Sequence, residues 1–369
     1  MLGGIGATVA AGVLVGAGAA PAGAQEETTY VLEQGDRCVP LEPISGSEPV
    51  EEFYGYEQNS NEPNSQQSNT GLESPSTSRL FLYDGPEAVS LVFLEGGGSS
   101  EPGGAASVLI AGLPRSGEWT VRDDGYPSAT DEFLTTDREA VIHWAWGSQG
   151  RVRRRNDGGV FGGLGDDFCV SVRAAFGDDA KLEPFNPGGI DGWEALSGGD
   201  DGPEAVSLET GAPVTIRTGS CDDGPENCTM ETATVEEPFA ATLTFTCTAV
   251  AVEAEEFDAV VLEFDDETTR RFEGSFKGFG AFIDDRDTGR ADAPRGTLRA
   301  VEVEAGDERI EAENPIADRC RSIAADNGDG GDNGNGEGSG GDGGDDGNGE
   351  EGGGGNGDGG DGDDGGIGF

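Results

Sequence analysis

Lysine and histidine are almost missing from this chain of 369 residues: Lys181 and Lys277 are its only lysines and His143 its only histidine. Bases of all kinds number 22 against 73 acids, a formal net charge of −51. Phosphate recognition needs a basic face, so this balance argues against nucleic acid as a partner. A single histidine leaves one candidate base for a serine or cysteine hydrolase and no second imidazole for a zinc site. CxxC spacings are absent too, which turns the cysteines away from metal ligation. Helical periodicity is nearly lacking; one turn is expected between Asp178 and Phe185.

Acidity of this kind has two physical readings. Disorder is one, but 34% hydrophobic content with four Trp and 17 Phe can fill cores, so disorder suits only segments. The other is adaptation to salt: a one-sign surface repels itself, and at molar salt the Debye length falls to about 3 Å and removes most of that repulsion. Retained arginine with almost no lysine is similar to the composition of haloarchaeal proteins, so a halophile is the expected source.

Residues 1–24 form an expected signal peptide, uncharged, rich in Gly and Ala, and ending in the small-residue pattern Ala22-Gly23-Ala24 before Gln25. Its stretch LGGIGATVAAGVLVGAG resembles the weakly apolar core of twin-arginine export signals. In those a pair of arginines lies just upstream, so the true start is expected to precede Met1. The mature chain is then expected to be secreted or extracellular, with no transmembrane anchor and with a cell-surface glycan or protein as its partner.

Six cysteines in an exported chain read as disulfides. Cys221 and Cys228 bracket a turn-rich hexapeptide and are expected to close a small loop. Cys38 with Cys169, and Cys247 with Cys320, are expected as one long-range bridge in each folded module.

Residues 25–79, which include NSNEPNSQQSNTGLESPSTS, read as a polar leader and surface loop. From Leu80 to residue 220 short apolar runs such as AVSLVFL, ASVLIAGL and AVIHWAW, bounded by Gly, Pro and Asp, read as strands of a β-sandwich or jelly roll. A second series over 221–325, including FAATLTFTCTAVAV and FDAVVLEF, reads as a small Ig-like β module. The fold class is therefore mostly β: two β-sandwich modules, followed over 326–369 by a disordered Gly/Asp tail in which 23 of 44 residues are Gly and 13 are acids. The octapeptide DGPEAVSL occurs at Asp84–Leu91 and again at Asp201–Leu208. Its flanks diverge at once, so it reads as a reused turn-then-strand element.

The second series, with LTFTCTAVAVEAEEFDAVVLEFDDETTRRFEGSF and IEAENP, resembles a small β domain that recurs in haloarchaeal secreted proteins. The first, with SGEWTVRDDGY, HWAWGS and NDGGVFGGLG, is similar to haloarchaeal exported or cell-surface proteins of no assigned activity. The resemblance covers about residues 30–321 and implies location and fold class, not a reaction.

Candidate chemistry is thin. On a strand, Ile142, Trp144 and Trp146 share one face and His143 takes the other, which reads as solvent-facing rather than catalytic. Carboxylate pairs of the glycosidase kind occur everywhere in so acidic a chain and single out nothing. The hard-cation candidate is Asp123 and Asp124 with Asp131 and Glu132, grouped after the strand that carries Trp119, as a calcium site. A second candidate, Asp284-Asp285-Arg286-Asp287, has half of an EF-hand spacing and no terminal Glu. Arg151, Arg153, Arg154 and Arg155 read as an edge-blunting basic run or an anion contact. Trp119, Trp144, Trp146 and Trp193 read as core, with a sugar platform as the alternative. The expectation is a non-enzymatic exported protein with a structural or binding role; a calcium-dependent glycan-binding module and a secreted hydrolase are the alternatives.

Overall fold

The computed structural model describes residues 28–326 except 57–67, 98–102, 124–130, 150–151, 155, 183–188, 200–201, 225–227 and 285–295. The expected signal peptide, the tail after Asp326, Asp124, most of the 284–287 motif, and the side chains of the arginine run lie outside the described residues.

The chain begins with β1 (Tyr30–Gln34), β2 (Arg37–Pro40), β3 (Ile44–Ser45) and helix α1 (Val50–Tyr54). It continues through β4 (Thr77–Asp84), β5 (Val89–Glu95), β6 (Gly104–Ala111), β7 (Glu118–Arg122), β8 (Glu132–Thr135) and β9 (Glu139–Gln149). Next come β10 (Val152–Arg154), β11 (Asp157–Gly162), β12 (Cys169–Phe176), β13 (Gly192–Ser197), β14 (Glu204–Ser207) and β15 (Val214–Thr218). The last stretch holds β16 (Glu231–Val235), β17 (Ala241–Phe245), β18 (Ala249–Phe264), β19 (Thr269–Ile283), β20 (Leu298–Ala305), β21 (Glu308–Glu313) and helix α2 (Ala317–Asp326). A single 3-10 turn, Gly177–Asp179, falls where one helical turn was expected.

These strands make three sheets. The middle sheet has eight strands, ordered β10-β9-β6-β12-β15-β1-β2, with β8 also on β9. The outer sheet has seven, β14-β13-β4-β5-β11-β7, with β3 on β4. The third has six, β16-β17-β18-β20-β21, with β19 on β18. The even-numbered residues of β6, β9 and β12, among them Val108, Trp144 and Val172, face the outer sheet and fill the sandwich core with Leu82, Phe93 and Trp193. The odd-numbered Leu109, Val141 and Ala175 face the third sheet and meet Ala251, Phe279 and Ile283. A sheet covered on both faces reads as unbroken apolar sequence, which is why AVIHWAW carries no polar–apolar alternation.

The described parts of the leader region, residues 28–56 and 68–79, carry strands and a helix, contrary to the surface-loop expectation, while residues 57–67 of the polar stretch lie outside the described residues. β1 and β2 complete the middle sheet, with Leu32 opposite Ile216 in register. α1 lays Val50 and Tyr54 over the far face of the outer sheet against Phe81, Leu94 and Val160. The sequence signal is only the trio Tyr30-Val31-Leu32; β1 pairs locally with β2 across the Gly35-Asp36 turn, while its other partner, β15, lies far along the chain.

The third sheet is one continuous ladder rather than two facing sheets. β18 bends at irregularities between Ala254 and Glu256 and between Phe257 and Ala259. Each irregularity resets which residues point inward. Val250, Val252, Phe257, Val260 and Leu262 thereby all enter one core with Phe245, Val301 and Ile310. Gly278 sits at positive φ in β19, where a Cβ would lie 2.8 Å from the Asp179 carboxylate, so glycine lets the 3-10 turn approach.

Both copies of DGPEAVSL make the turn and return strand of a hairpin in the outer sheet. β4–β5 pairs Asp84 with Val89, β13–β14 pairs Ser197 with Glu204, and β13 lies parallel to β4. In each copy the Val and Leu face the same core: Val89 and Leu91, then Val206 and Leu208.

Candidate functional site

Of the acids expected to share a cation, Asp124 lies outside the described residues and the other three each have a partner of their own. Asp123 ends β7 in the outer sheet, is fully buried, and accepts the Tyr54 hydroxyl at 3.1 Å. Asp131 and Glu132 lead into β8 of the middle sheet. Asp131 accepts the Ala145 N–H at 3.1 Å. Glu132 turns toward Lys181, at 2.6 Å. β7 and β8 belong to different sheets, which proximity in sequence did not reveal. Among the described residues no three His, Cys, Asp or Glu side chains are grouped to hold a metal ion.

His143 is not solvent-facing. The third sheet covers the face it occupies, leaving the ring 0% exposed with Nδ1 2.8 Å from Ser107 Oγ. That hydroxyl also accepts the Lys181 N–H at 2.8 Å. Burial, aided by the nearby Lys181 charge, lowers the imidazole pKa to about 3, so the ring is neutral at ordinary pH. Seryl and imidazole groups meet here, but both are sealed from substrate.

Two further carboxyls are buried and were missed. Glu95 and Asp157 face each other across β5 and β11, both fully buried. Burial pushes Glu95 well above the usual carboxylate range; the Ser78 hydroxyl, donating at 3.0 Å, pulls the other way, and the Asp157 charge adds a smaller push upward. Burial likewise raises the Tyr54 phenol, with Asp123 next in effect. The available signal was an acid closing an otherwise apolar run, as in AVSLVFLE.

The densest polar construction lies between the middle and third sheets. Glu139, at the start of β9, reaches the turn between β17 and β18, where it accepts the Thr246 hydroxyl at 2.7 Å, the Cys247 N–H at 2.9 Å and the Thr248 N–H at 3.0 Å. Burial raises its pKa even so. Arg173, 2% exposed, pairs with Glu253 at 2.5 Å and lies over the Phe279 ring at 5.3 Å. Thr246 and Thr248 sit in the turn after β17, where Glu139 of the other body reaches them.

Disulfide pairing departs from expectation at two bridges. Cys38 pairs with Cys221, Cys169 with Cys228, and Cys247 with Cys320. β2 lies beside β1, which lies beside β15, and this brings Cys38 to Cys221 in the segment that follows β15; Cys169, opening β12, takes Cys228. A polar cavity of about 440 Å³ opens beside the Cys169–Cys228 bridge, with Asp167, Arg217, Asp222 and Asp223 in its wall. Arg217 is already engaged, pairing with Glu33 at 2.6 Å and donating to the Ser220 carbonyl at 2.8 Å. Hydrogen bonds from Ser220 lower the Asp223 pKa.

Trp144, Trp146 and Trp193 are core, and Trp119 packs edge-on to Phe133 and Phe161. The backbone of Val152–Arg154 is the β10 edge strand of the middle sheet. Among the described residues no helix is long and apolar enough to cross a membrane. No protein-family model, curated protein or solved structure matches the chain.

Proposed function

We propose that this is a non-enzymatic exported protein of the extracellular space or cell surface in a high-salt habitat, with a structural or binding role. One observation carries the reading: the displaced groups of the interior are sealed, and the raised carboxylate that reaches the surface, Glu302, is held by Arg309 at 3.1 Å. Glu95 and Glu139 are raised but buried, and His143 is buried and neutral. At the open cavity the displaced carboxylate is Asp223, and it is lowered, the wrong direction for a general acid. Three disulfides support export into an oxidising compartment.

The test is a broad hydrolase screen in molar salt, run beside a glycan array with and without calcium. Neither turnover nor calcium-dependent glycan capture is expected. Turnover abolished by Asp223→Asn together with Asp167→Asn would overturn the reading in favour of a secreted hydrolase.

A further inference from the structure

Tension applied to this chain would travel mostly through its disulfides. A pull entering at Thr28 reaches Cys38, crosses to Cys221, and so bypasses everything from β3 to β15. A pull entering at Asp326 reaches Cys320, crosses to Cys247, and bypasses β18 to β21. What remains in the line of load is Thr28–Cys38, Cys221–Cys247 and Cys320–Asp326. These come to about 42 residues, or roughly 15 nm when fully extended at ~3.5 Å each.

Within that line, the span from Cys228 to Cys247 is the β16–β17 hairpin at the edge of the third sheet, pairing Glu231 with Phe245 at its open end. Both sides of that open end are tied. Arg319, next to Cys320, donates to the Cys228 carbonyl at 3.1 Å. On the other side the Glu139 carboxylate holds the Cys247 N–H at 2.9 Å.

We propose that the protein is a mechanical tether: its covalent framework carries load past both β bodies, and the β16–β17 hairpin, latched by Arg319 and Glu139, is a short reserve of slack. This rests on the structural reading above and adds the kind of work the structure performs. The hairpin supplies about 19 residues, a release of roughly 6–7 nm at full extension, after which the bridges stop further lengthening. The strands inside the bridged loops, β3 to β15 and β18 to β21, stay out of the line of load, while β1 and the hairpin give up their places in the two cores as they extend.

Single-molecule stretching of the complete chain, held through bio-orthogonal side chains placed at Thr28 and Asp326 in molar KCl, tests this. The oxidised chain should gain no more than about 15 nm, and the chemically reduced chain about 100 nm. Cys38→Ser with Cys221→Ser, otherwise oxidised, should gain about 60 nm, because the load then runs to Cys169 before crossing. Arg319→Ala should release the hairpin at lower force with its length unchanged. Oxidised wild type lengthening well past 15 nm, or a hairpin force that Arg319→Ala does not lower, would overturn the proposal. Hydrolytic turnover would instead overturn the non-enzymatic reading and leave these extension curves as they are.

Discussion

Glu139 and Thr248 belong to different β bodies and are joined twice, the Thr248 N–H and hydroxyl both donating to one carboxylate oxygen, at 3.0 Å and 2.5 Å. With Thr246 and Cys247 they close a turn whose donors converge on the Glu139 carboxylate, the Thr246 hydroxyl alone having a second acceptor in the Ala249 carbonyl at 3.0 Å. Glu139→Ala therefore strands several buried polar groups at once, each costing about 1–3 kcal/mol. The expected loss is about 3 kcal/mol or more, read by denaturant unfolding in molar KCl with the disulfides intact. Glu139→Gln keeps one acceptor oxygen and should lose clearly less. Equal losses for the two would show that the contact contributes shape rather than hydrogen bonding.

His143 makes stability depend on pH with a definite sign. In the unfolded chain its imidazole takes a proton below about pH 6.5. In the fold it stays neutral down to about 3. The unfolded state therefore binds more protons between those values, so this contribution is complete above about 6.5 and declines as pH falls. At pH 5 the decline relative to pH 7 is about 2 kcal/mol. Many carboxylates also begin to titrate there, so the measurement is a difference: wild type minus His143→Gln, each unfolded at pH 7 and pH 5. Wild type should lose about 2 kcal/mol more than the variant over that interval. Parallel behaviour would mean the ring becomes protonated without leaving its place.

The same histidine shows what was legible in the sequence. Alternation placed Ile142, Trp144 and Trp146 on one face correctly, because strand periodicity is local. Whether the opposite face meets water depended on β18 and β19, over a hundred residues later, and no local pattern announces such docking. The repeated DGPEAVSL was readable as a turn and strand because Asp-Gly-Pro constrains the backbone wherever it stands. Cysteine pairing was not readable in full. It follows from the order β15-β1-β2 in the middle sheet, and Tyr30-Val31-Leu32 was too short a signal to reveal that β1 exists. Of the calcium candidate, Asp123 follows β7 of one sheet while Asp131 and Glu132 lead into β8 of another, and Asp124 lies outside the described residues.

Salt sets the last expectation, and two opposed effects decide its direction. Arg271–Glu304, Arg271–Glu273, Arg309–Glu302 and Arg299–Glu263 lace the third sheet's strands together on partly exposed side chains. Exposed pairs contribute about 0–1 kcal/mol each and strengthen as salt is removed, so by themselves they favour dilution slightly. Against them stands a net charge of −51. With 73 acids and 22 bases, most carboxylates have no base to pair with, and every dilution step lengthens the range over which they repel. A few pairs cannot offset that imbalance, so the repulsion wins. The three disulfides limit how far the chain can expand but do not remove the charge. Circular dichroism melts at KCl concentrations from ~3 M down to ~0.05 M should show a falling midpoint and loss of the β signal at the low end, over the range where the Debye length grows from about 3 Å to above 10 Å. A cooperative melt whose midpoint stays constant across that range would mean that neighbouring carboxylates are separated or neutralised well enough without screening, and the salt-adapted reading of this composition would have to be abandoned.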